Sequence, residues 1–454
     1  MYFKITGIKR QVLISAVLYL GQILLGFSVS WSGPIFPKLR DPTQSPLPYL
    51  LTEIEMSLIA SFVYIGGLPG PYIMGWLSNI YGRKPCLIVG GVLSFLAYII
   101  LVWAKNLAML YCGRLLIGLG IGIIAVMNLV YIGEIASSNI RGILLSALGI
   151  FTTCGSILMY SAGSFLPYSY ATSVGLASSL AFTVFAMFIP ESPIFHVLED
   201  NEDEAKAKLK DLGREGDIDN ILQSKIEYIN STNKKDWIEL VTLRSNRRAL
   251  LIVVVINILQ HGSGIFAVIS FSGSIFEMSG SSIGSDISML IIGFFQLIGS
   301  TTAPFFVEKN GRKSLLVVST IICSLSMLLL GLYFYLDYLH YSGINYVHWL
   351  PLVLLIIFFI GYDAGLGIVP NVLIGEMFTM NVRSKGSAVA LSFSWVSGFL
   401  VTLVYGALVE NIGSYAAFWF FSCAGLIACF FTIFCIPETK GKSLLEVQDM
   451  LKKK

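Results

Sequence analysis

Oppositely charged residues recur at a fixed spacing in the two halves of this sequence. Six residues separate Glu134 from Arg141, and six residues also separate Glu376 from Arg383. Glutamate and arginine side chains at half-exposed positions form ion pairs that are individually weak and reversible. Such pairs suit a latch that closes in one conformation of a protein and opens in another. The chemistry that these residues suggest is therefore reversible ionic contact.

Two further motifs are repeated in the same order along the chain. Gly82-Arg83-Lys84 recurs as Gly311-Arg312-Lys313, and Pro190-Glu191-Ser192 recurs as Pro437-Glu438-Thr439. Repeats in parallel orientation are typical of transporters whose two halves rock about a shared cavity. The predicted latch consists of Arg83, Glu134, Arg141, Glu191, Arg312, Glu376 and Arg383. The alternative is that the arginines only mark the cytoplasmic side of a membrane.

Membrane-spanning helices must position these residues. Apolar residues make up 55% of the chain and charged residues only 13%, which leaves too little charge for a water-facing surface. A spanning helix needs about 20 apolar residues. The predicted spans are Val12–Trp31, Ser57–Leu77, Pro85–Trp103, Leu107–Ile132, Gly142–Leu166, Tyr168–Pro190, Ala249–Phe276, Ile287–Val307, Ser314–Leu336, Trp349–Met377, Ser387–Val409 and Ala416–Ile436.

Lysine and arginine concentrate in alternate loops, so we expect those loops, the central loop and both termini to be cytoplasmic in a multi-pass protein of the cell membrane. Lys38, Arg40 and Lys105 are the exceptions on the other side. Apolar residues at helical spacing near Asn201–Leu212 and Ile218–Ile229 predict short cytoplasmic surface helices, and a solvated linker is the alternative. The predicted division is 1–190 for an N-terminal bundle, 191–248 for the linker, 249–436 for a C-terminal bundle and 437–454 for a cytoplasmic tail.

Several functional classes are disfavoured by the same composition. The seven cysteines form no CxxC pair and do not cluster with the four histidines, so we expect neither a disulfide framework nor a metal site. The net charge of +3 comes from nearly balanced totals and implies no nucleic-acid partner. We find no nucleophile with a nearby base and no phosphate loop, so we expect neither an enzyme nor a cofactor. The sequence leaves the oligomeric state open.

The ordered motifs resemble those of the sugar porter family of the major facilitator superfamily, most closely the facilitated trehalose and glucose transporters of insect type. The resemblance implies an all-α membrane protein with twelve helices in two six-helix bundles, which moves a sugar by alternating access. Three departures from the family pattern stand out. Asn79 replaces the usual aspartate, Ile368 replaces a proline, and Asn371 replaces a tryptophan. Pro370, with Gly365 and Gly367, is expected to keep the tenth helix broken.

The substrate site is predicted from polar residues within the apolar spans. A sugar needs side chains that donate and accept hydrogen bonds, together with aromatic rings that cover its apolar faces. The candidates, taken from this chemistry and from positions that match the family, are Gln260, His261, Gln296, Asp363, Asn371 and Trp395. The alternative for Gln260 and Asp363 is an interhelical hydrogen bond without a role in binding.

The first helix bears on energy coupling. Proton-driven relatives carry an aspartate shortly after a Gly-aromatic pair, whereas this chain has Gly26-Phe27-Ser28. A proton symporter needs a titratable group within the membrane, so a uniporter is favoured, and Asp363 is the remaining intramembrane acid that could overturn this. The alternatives left open are a proton-coupled sugar symporter, a sensor that binds sugar without transporting it, and a carrier of a polyol or another organic solute.

Overall fold

The computed structural model describes residues 6–199, 201–217, 234–280, 283–442 and 444–453. These residues form helices joined by short loops, and no strand occurs among them. Twelve helical segments in this part of the chain are long and apolar enough to cross a membrane, as the sequence predicts. They are Ile8–Arg40, Glu53–Met74, Arg83–Val102, Leu107–Ile135, Ser138–Phe165, Tyr168–Ala186, Arg244–Met278, Ser285–Val307, Arg312–Tyr338, Leu350–Met377, Lys385–Asn411 and Ser414–Cys435. We number them as spans 1 to 12.

Most spans are single helices, whereas spans 1, 2, 7 and 10 are divided. Their parts are Ile8–Ser30 with Ser32–Arg40, Glu53–Gly67 with Gly70–Tyr81, Arg244–Gly262 with Ile265–Met278, and Leu350–Gly361 with Tyr362–Leu366 and Val369–Met377. The helix of span 8 continues to Lys309, and that of span 11 begins at Met380. Span 1 is longer than predicted, so Lys38 and Arg40, predicted to lie in a loop, form part of its last turn. Basic residues suit that position because the C-terminus of a helix carries partial negative charge.

Spans 7 and 10 are interrupted by different means. In span 7 the break lies at Gly264, whose φ of 89° places it in the left-handed region that glycine adopts without strain. In span 10 the break is a π turn, Tyr362–Leu366, in which the Gly367 N–H donates to the Tyr362 carbonyl at 2.7 Å. The predicted break in span 10 is therefore present, but it begins before Pro370, which lies in the first turn of Val369–Met377.

The backbones of spans 2 and 4 come into direct contact. A methyl group added at Gly66 would lie 3.1 Å from the Gly118 Cα and closer still to the Leu115 carbonyl. Small residues allow such close approach, which gives membrane helices van der Waals contact and thus stability without hydrophobic burial. The N-terminal six spans therefore include a tightly packed pair of helices.

Further helices lie outside the spans. They are Pro193–Leu198, Glu202–Asp211, Glu215–Asp217, Lys234–Thr242, Ser342–Tyr346 and Leu444–Lys453. Helix Glu202–Asp211 matches the predicted surface helix near Asn201–Leu212, whereas the one predicted at Ile218–Ile229 falls outside the described residues. Twelve spans place both chain ends on the same side of the molecule. We call this side the terminal face and the other side the opposite face.

Candidate functional site

The first part of the candidate site lies between the breaks of spans 7 and 10. Gln260 is buried, and its amide Nε2 donates to the Tyr362 hydroxyl at 3.2 Å and to the Gly367 carbonyl at 3.4 Å. Gly367 directly follows the π turn, which keeps its carbonyl available to another helix. The amide is thus held where two helices are interrupted. Sequence reasoning identified Gln260 but missed Tyr362, which is marked only by being next to Asp363.

The second part is an aromatic group around His261. The His261 Nε2 is hydrogen-bonded to the Ser394 hydroxyl, and the imidazole stacks on Phe266 with ring centroids 4.6 Å apart. Phe266 in turn stacks on Tyr64 at 4.4 Å, so this stack joins a C-terminal span to an N-terminal one. Trp395 is half-buried, with its ring 6.4 Å from that of Tyr64. The structure therefore brings His261 and Trp395 together around rings that could cover an apolar surface of a solute.

Gln296 and Asp363 form a third group. An ideal Cβ on Gly299, one turn after Gln296, would lie 2.7 Å from the Asp363 Oδ2, so the carboxyl group packs directly on the backbone of span 8. The Gln296 Oε1 and the Asp363 Oδ2 are both buried, and neither has a hydrogen-bond partner among the described residues. Buried polar atoms are normally paired. Two oxygens on adjacent spans thus depart from this rule, and a ligand group is one partner that could satisfy them.

Asn371 forms no hydrogen bond with these three groups in the described part of the chain. It lies in an exposed position on Val369–Met377, and its side chain makes no hydrogen bond with the described residues. The N-terminal bundle instead contributes Thr153, whose hydroxyl donates to Ser300 of span 8 at 3.5 Å. Ser300 follows Gln296 by one helical turn. Neither hydroxyl was predicted, because a threonine or serine in an apolar helix usually bonds its own backbone and carries no distinct signal.

Three of the predicted latch residues of the N-terminal bundle, Arg83, Glu134 and Glu191, form a largely buried cluster at the terminal face. The Arg83 Nη2 lies 2.8 Å from the Glu134 Oε1, and the Arg83 Nε donates to both carboxylate oxygens at 3.1 Å. Glu191 does not pair with an arginine side chain among the described residues. Its carboxylate accepts from the backbone N–H groups of Arg83 at 2.9 Å and Lys84 at 3.1 Å, which caps the helix of span 3. The Ser192 hydroxyl donates to Glu134 and completes the cluster.

The C-terminal bundle repeats this cluster with homologous residues. The Arg312 Nη2 lies 2.9 Å from the Glu376 Oε1, and Glu438 caps span 9 by accepting from the backbone N–H groups of Arg312 and Lys313. The Thr439 hydroxyl donates to Glu376 at 2.5 Å. Glu438, Ser192 and Thr439 were absent from the predicted latch. The repeated Pro-Glu-Ser and Pro-Glu-Thr motifs were the signal that could have found them.

Arg141 and Arg383 do not join the two clusters. The Arg141 Nη2 donates to the Ala136 carbonyl at 3.1 Å within its own bundle. The Nε atoms of Arg141 and Arg383 are buried without a partner in the described part of the chain.

The two glycines that directly precede Arg83 and Arg312 differ in backbone conformation. Gly82 has a φ of 99° and needs to be glycine for its backbone conformation. Gly311 has an ordinary φ of −68°, and a side chain there would instead collide with the Glu438 carboxylate.

The two bundles meet closely at the opposite face. A methyl group on Gly273 of span 7 would lie 2.5 Å from the Gly33 carbonyl of span 1, and the rings of Phe36 and Phe271 are 5.0 Å apart. The Glu410 Oε2 of span 11 accepts from the Ile54 N–H of span 2 at 2.9 Å. This face is therefore closed.

Beside these contacts is a polar cavity of 430 Å³ between the bundles. Its lining includes Lys38, Asp41 and Ser164 from one bundle and Glu277 and Asp286 from the other. It lies at the opposite face and contains none of the predicted site residues. The described residues include no group of three or more histidine, cysteine, aspartate or glutamate side chains that could hold a metal ion.

Known proteins resemble this chain along nearly its whole length. The family described as "Sugar (and other) transporter" matches residues 36–451. The chain is 30% identical to the facilitated trehalose transporter Tret1 of Polypedilum vanderplanki over 97% of its own length and 88% of that protein. It is 29% identical to Tret1 of Drosophila yakuba over 97% of its own length, but it spans only 52% of that longer protein.

A solved structure shows the same fold. The inward-open conformation of the xylose transporter XylE from E. coli superposes with a TM-score of 0.81 at 21% identity, covering 97% of this chain and 99% of XylE. The twelve spans, the duplicated clusters and the extent of the family match agree with one another. This chain is a member of the sugar transporter family of the major facilitator superfamily.

Proposed function

We propose that the protein carries a sugar across the cell membrane by facilitated diffusion, with trehalose or a hexose such as glucose as the substrate. The observation that carries this proposal is the pair of orphaned oxygens on Gln296 and Asp363, beside the Gln260 amide and the aromatic stack. Acceptors without partners suit the hydroxyl groups of a sugar, and the rings suit its apolar faces. The relatives named trehalose transporters support the same choice.

The proposed mechanism is alternating access about the boundary between the bundles. Residues 1–190 and 249–436 are the proposed rocking units, 191–248 is the linker, and the terminal face is cytoplasmic because basic residues concentrate there. The closed opposite face, and the lack of a carboxylate partner for Arg141 and Arg383 among the described residues, support a cavity that opens towards the cytoplasm in this conformation. Closing the cytoplasmic side would then bring the arginines of each bundle to the carboxylates of the other.

Uptake into proteoliposomes tests the function. We expect radiolabelled trehalose or glucose to equilibrate across the membrane at the same rate with and without a proton gradient. Gln260→Ala removes one hydrogen-bonding group and should raise KM about tenfold. Asn257→Ala is the matched control, because its amide donates to the Val253 carbonyl of its own helix at 2.8 Å. A sugar that binds but is never taken up would identify a sensor, and uptake of only polyols would identify a different cargo.

Proton-coupled symport is the second candidate, and Asp363 favours it. This carboxyl group lies in a spanning helix, and its Oδ2 has no partner among the described residues. Intramembrane acids often serve as proton relays. Asp363→Asn distinguishes the two candidates. In a uniporter it should alter KM without creating or removing dependence on the proton gradient, whereas in a symporter it should abolish accumulation driven by that gradient.

A further inference from the structure

One helix of the linker has an uncovered apolar face. In helix Lys234–Thr242 the side chains of Trp237, Ile238 and Val241 are 44%, 61% and 55% exposed. Leu240 on the other side is buried against the C-terminal bundle and fixes the helix in place. The exposed residues are adjacent on the helix surface because positions three and four apart share a face. A contiguous apolar face that the described part of the chain leaves open is a sign of a partner.

A second linker helix shows what a water-facing helix of this protein looks like. Helix Glu202–Asp211 buries Ala205 and Leu209, and apart from the small Ala207 its exposed side chains are charged. Lys206 forms an ion pair with Glu202 at 3.7 Å on that exposed surface. The two helices belong to the same linker but have opposite patterns. The apolar face of Lys234–Thr242 is therefore a local feature and not a property of the whole linker.

Span 7 indicates what covers this face. Arg244, Arg247, Leu251 and Ile258 are all exposed, and their spacing of three, four and seven residues places them on one stripe of the helix. Leu251 and Ile258 lie in the apolar part of the span and are exposed, as expected of side chains that contact lipid. With a rise of about 1.5 Å per residue, Arg247 lies about 6 Å and Arg244 about 10 Å beyond Leu251 towards the terminal face. Both arginines thus follow the apolar part of the span by a distance that would suit contact with lipid headgroups.

We infer that helix Lys234–Thr242 lies in the cytoplasmic surface of the membrane and, with Arg244 and Arg247, forms a binding site for anionic phospholipid. The apolar face, which includes Trp237 at its edge, would contact acyl chains, because tryptophan favours the boundary between apolar and polar regions. The arginines would bind the phosphate and carboxylate groups of the lipid. Neither arginine forms an ion pair with the described residues, so both are free to do so. The inference rests on the proposed orientation.

Lipid-dependent quenching of Trp237 fluorescence tests the site in nanodiscs. The Trp237 signal is the difference between the wild type and Trp237→Phe. Brominated phosphatidylserine should quench this signal more strongly than brominated phosphatidylcholine at the same mole fraction. Each arginine near an anionic surface contributes about fivefold in affinity, so Arg244→Gln and Arg247→Gln should each weaken the preference about fivefold and together remove it.

The matched control is the double variant Lys206→Gln and Lys210→Gln, which removes two basic residues from the water-facing helix and should leave the preference unchanged. Equal quenching by both lipids in the wild type would mean ordinary lipid contact and would overturn the inference. Absence of quenching by either lipid would also overturn it and would leave the face to a soluble partner. The assay does not use uptake, so its result is independent of whether the proposed transport activity is found.

Discussion

Both bundles have the same cluster of charged residues at the terminal face, but the two clusters differ in how exposed their side chains are. In the N-terminal bundle the side chains of Arg83 and Glu134 are 6% and 10% exposed, whereas those of Arg312 and Glu376 are 17% and 28% exposed. The N-terminal cluster is also covered by Arg214, whose Nη1 donates to the Glu134 carbonyl at 2.6 Å. The same motif is thus more deeply enclosed in one bundle than in the other.

The spans of the two bundles also differ in how closely they pack and in how they are interrupted. Spans 2 and 4 of the N-terminal bundle pack backbone against backbone at Gly66 and Gly118, while both the left-handed break at Gly264 and the π turn lie in the C-terminal bundle. The candidate substrate residues also lie mainly in the C-terminal bundle. Divided spans occur in both bundles, but the comparison leads us to expect that the N-terminal bundle is the stiffer of the two and that the C-terminal bundle makes most of the polar contacts to a solute.

The largest expected effect comes from breaking the two ion pairs separately. Glu134→Gln leaves the buried Arg83 charge without a counter-charge and should lower the free energy of unfolding by about 3–5 kcal/mol. Glu376→Gln affects a pair that water reaches and should cost about 1 kcal/mol. Thermal unfolding of both variants in detergent measures the difference. Similar losses in the two variants would show that the burial of the clusters is not what distinguishes the bundles.

An intermediate effect is expected at the π turn. The Ser319 hydroxyl of span 9 donates to the Gly361 carbonyl at 2.7 Å and accepts from the Leu366 N–H at 2.8 Å. It thereby satisfies two backbone groups that the turn releases, and lipid offers no replacement. Ser319→Ala should therefore cost about 2 kcal/mol.

Ser94→Ala is the matched control in the N-terminal bundle. The Ser94 hydroxyl donates to the Gly90 carbonyl at 2.8 Å within one uninterrupted helix, where that carbonyl can also bond the backbone. We expect a much smaller loss of thermal stability than for Ser319→Ala. If both serine variants unfold at the same temperature, the released backbone groups of span 10 have found other partners.

The smallest expected effect lies where the bundles meet. The Glu410 carboxylate accepts from the Ile54 N–H, in the first turn of the helix of span 2, where negative charge is favoured. Glu410→Gln weakens this contact and should shift the population two- to fivefold towards a conformation open at the opposite face. The labelling rate of a cysteine introduced at Ser285, in the cavity wall, by a membrane-impermeant maleimide measures this shift.

Asp41→Asn is the control for this measurement. Hydrogen bonds from Thr43 and Gln44 hold the pKa of the Asp41 carboxyl below its usual range, so this group is also charged at neutral pH. All of these bonds lie within the N-terminal bundle. Its labelling rate should equal that of the wild type. An equal increase in both variants would attribute the effect to net charge and not to the contact between the bundles.

The sequence allowed the framework to be predicted but not the fine structure of the site. The twelve spans follow from apolar segments, and the residues of the Arg83 and Arg312 clusters were selected because duplication repeats their motifs. Which residues pair, and that each pair lies within one bundle, was not predicted. The roles of Tyr362 and Ser319 could not be predicted, because they depend on where span 10 breaks and on which helix packs against the break. Asn371 was chosen by its position in a family motif, and the structure leaves it apart from the other candidates.

The polar cavity at the opposite face has a consequence for the kinetics of opening. Lys38, Asp41, Glu277 and Asp286 already border a space that is large and polar enough to hold water. Water in this cavity can reach these charges before the bundles separate, so in the proposed mechanism we expect their hydration to add little to the activation barrier. We expect the slower step on this side to be the parting of the apolar contact between Phe36 and Phe271. Side-chain volume at these two positions, more than charge at the rim, should set the turnover rate.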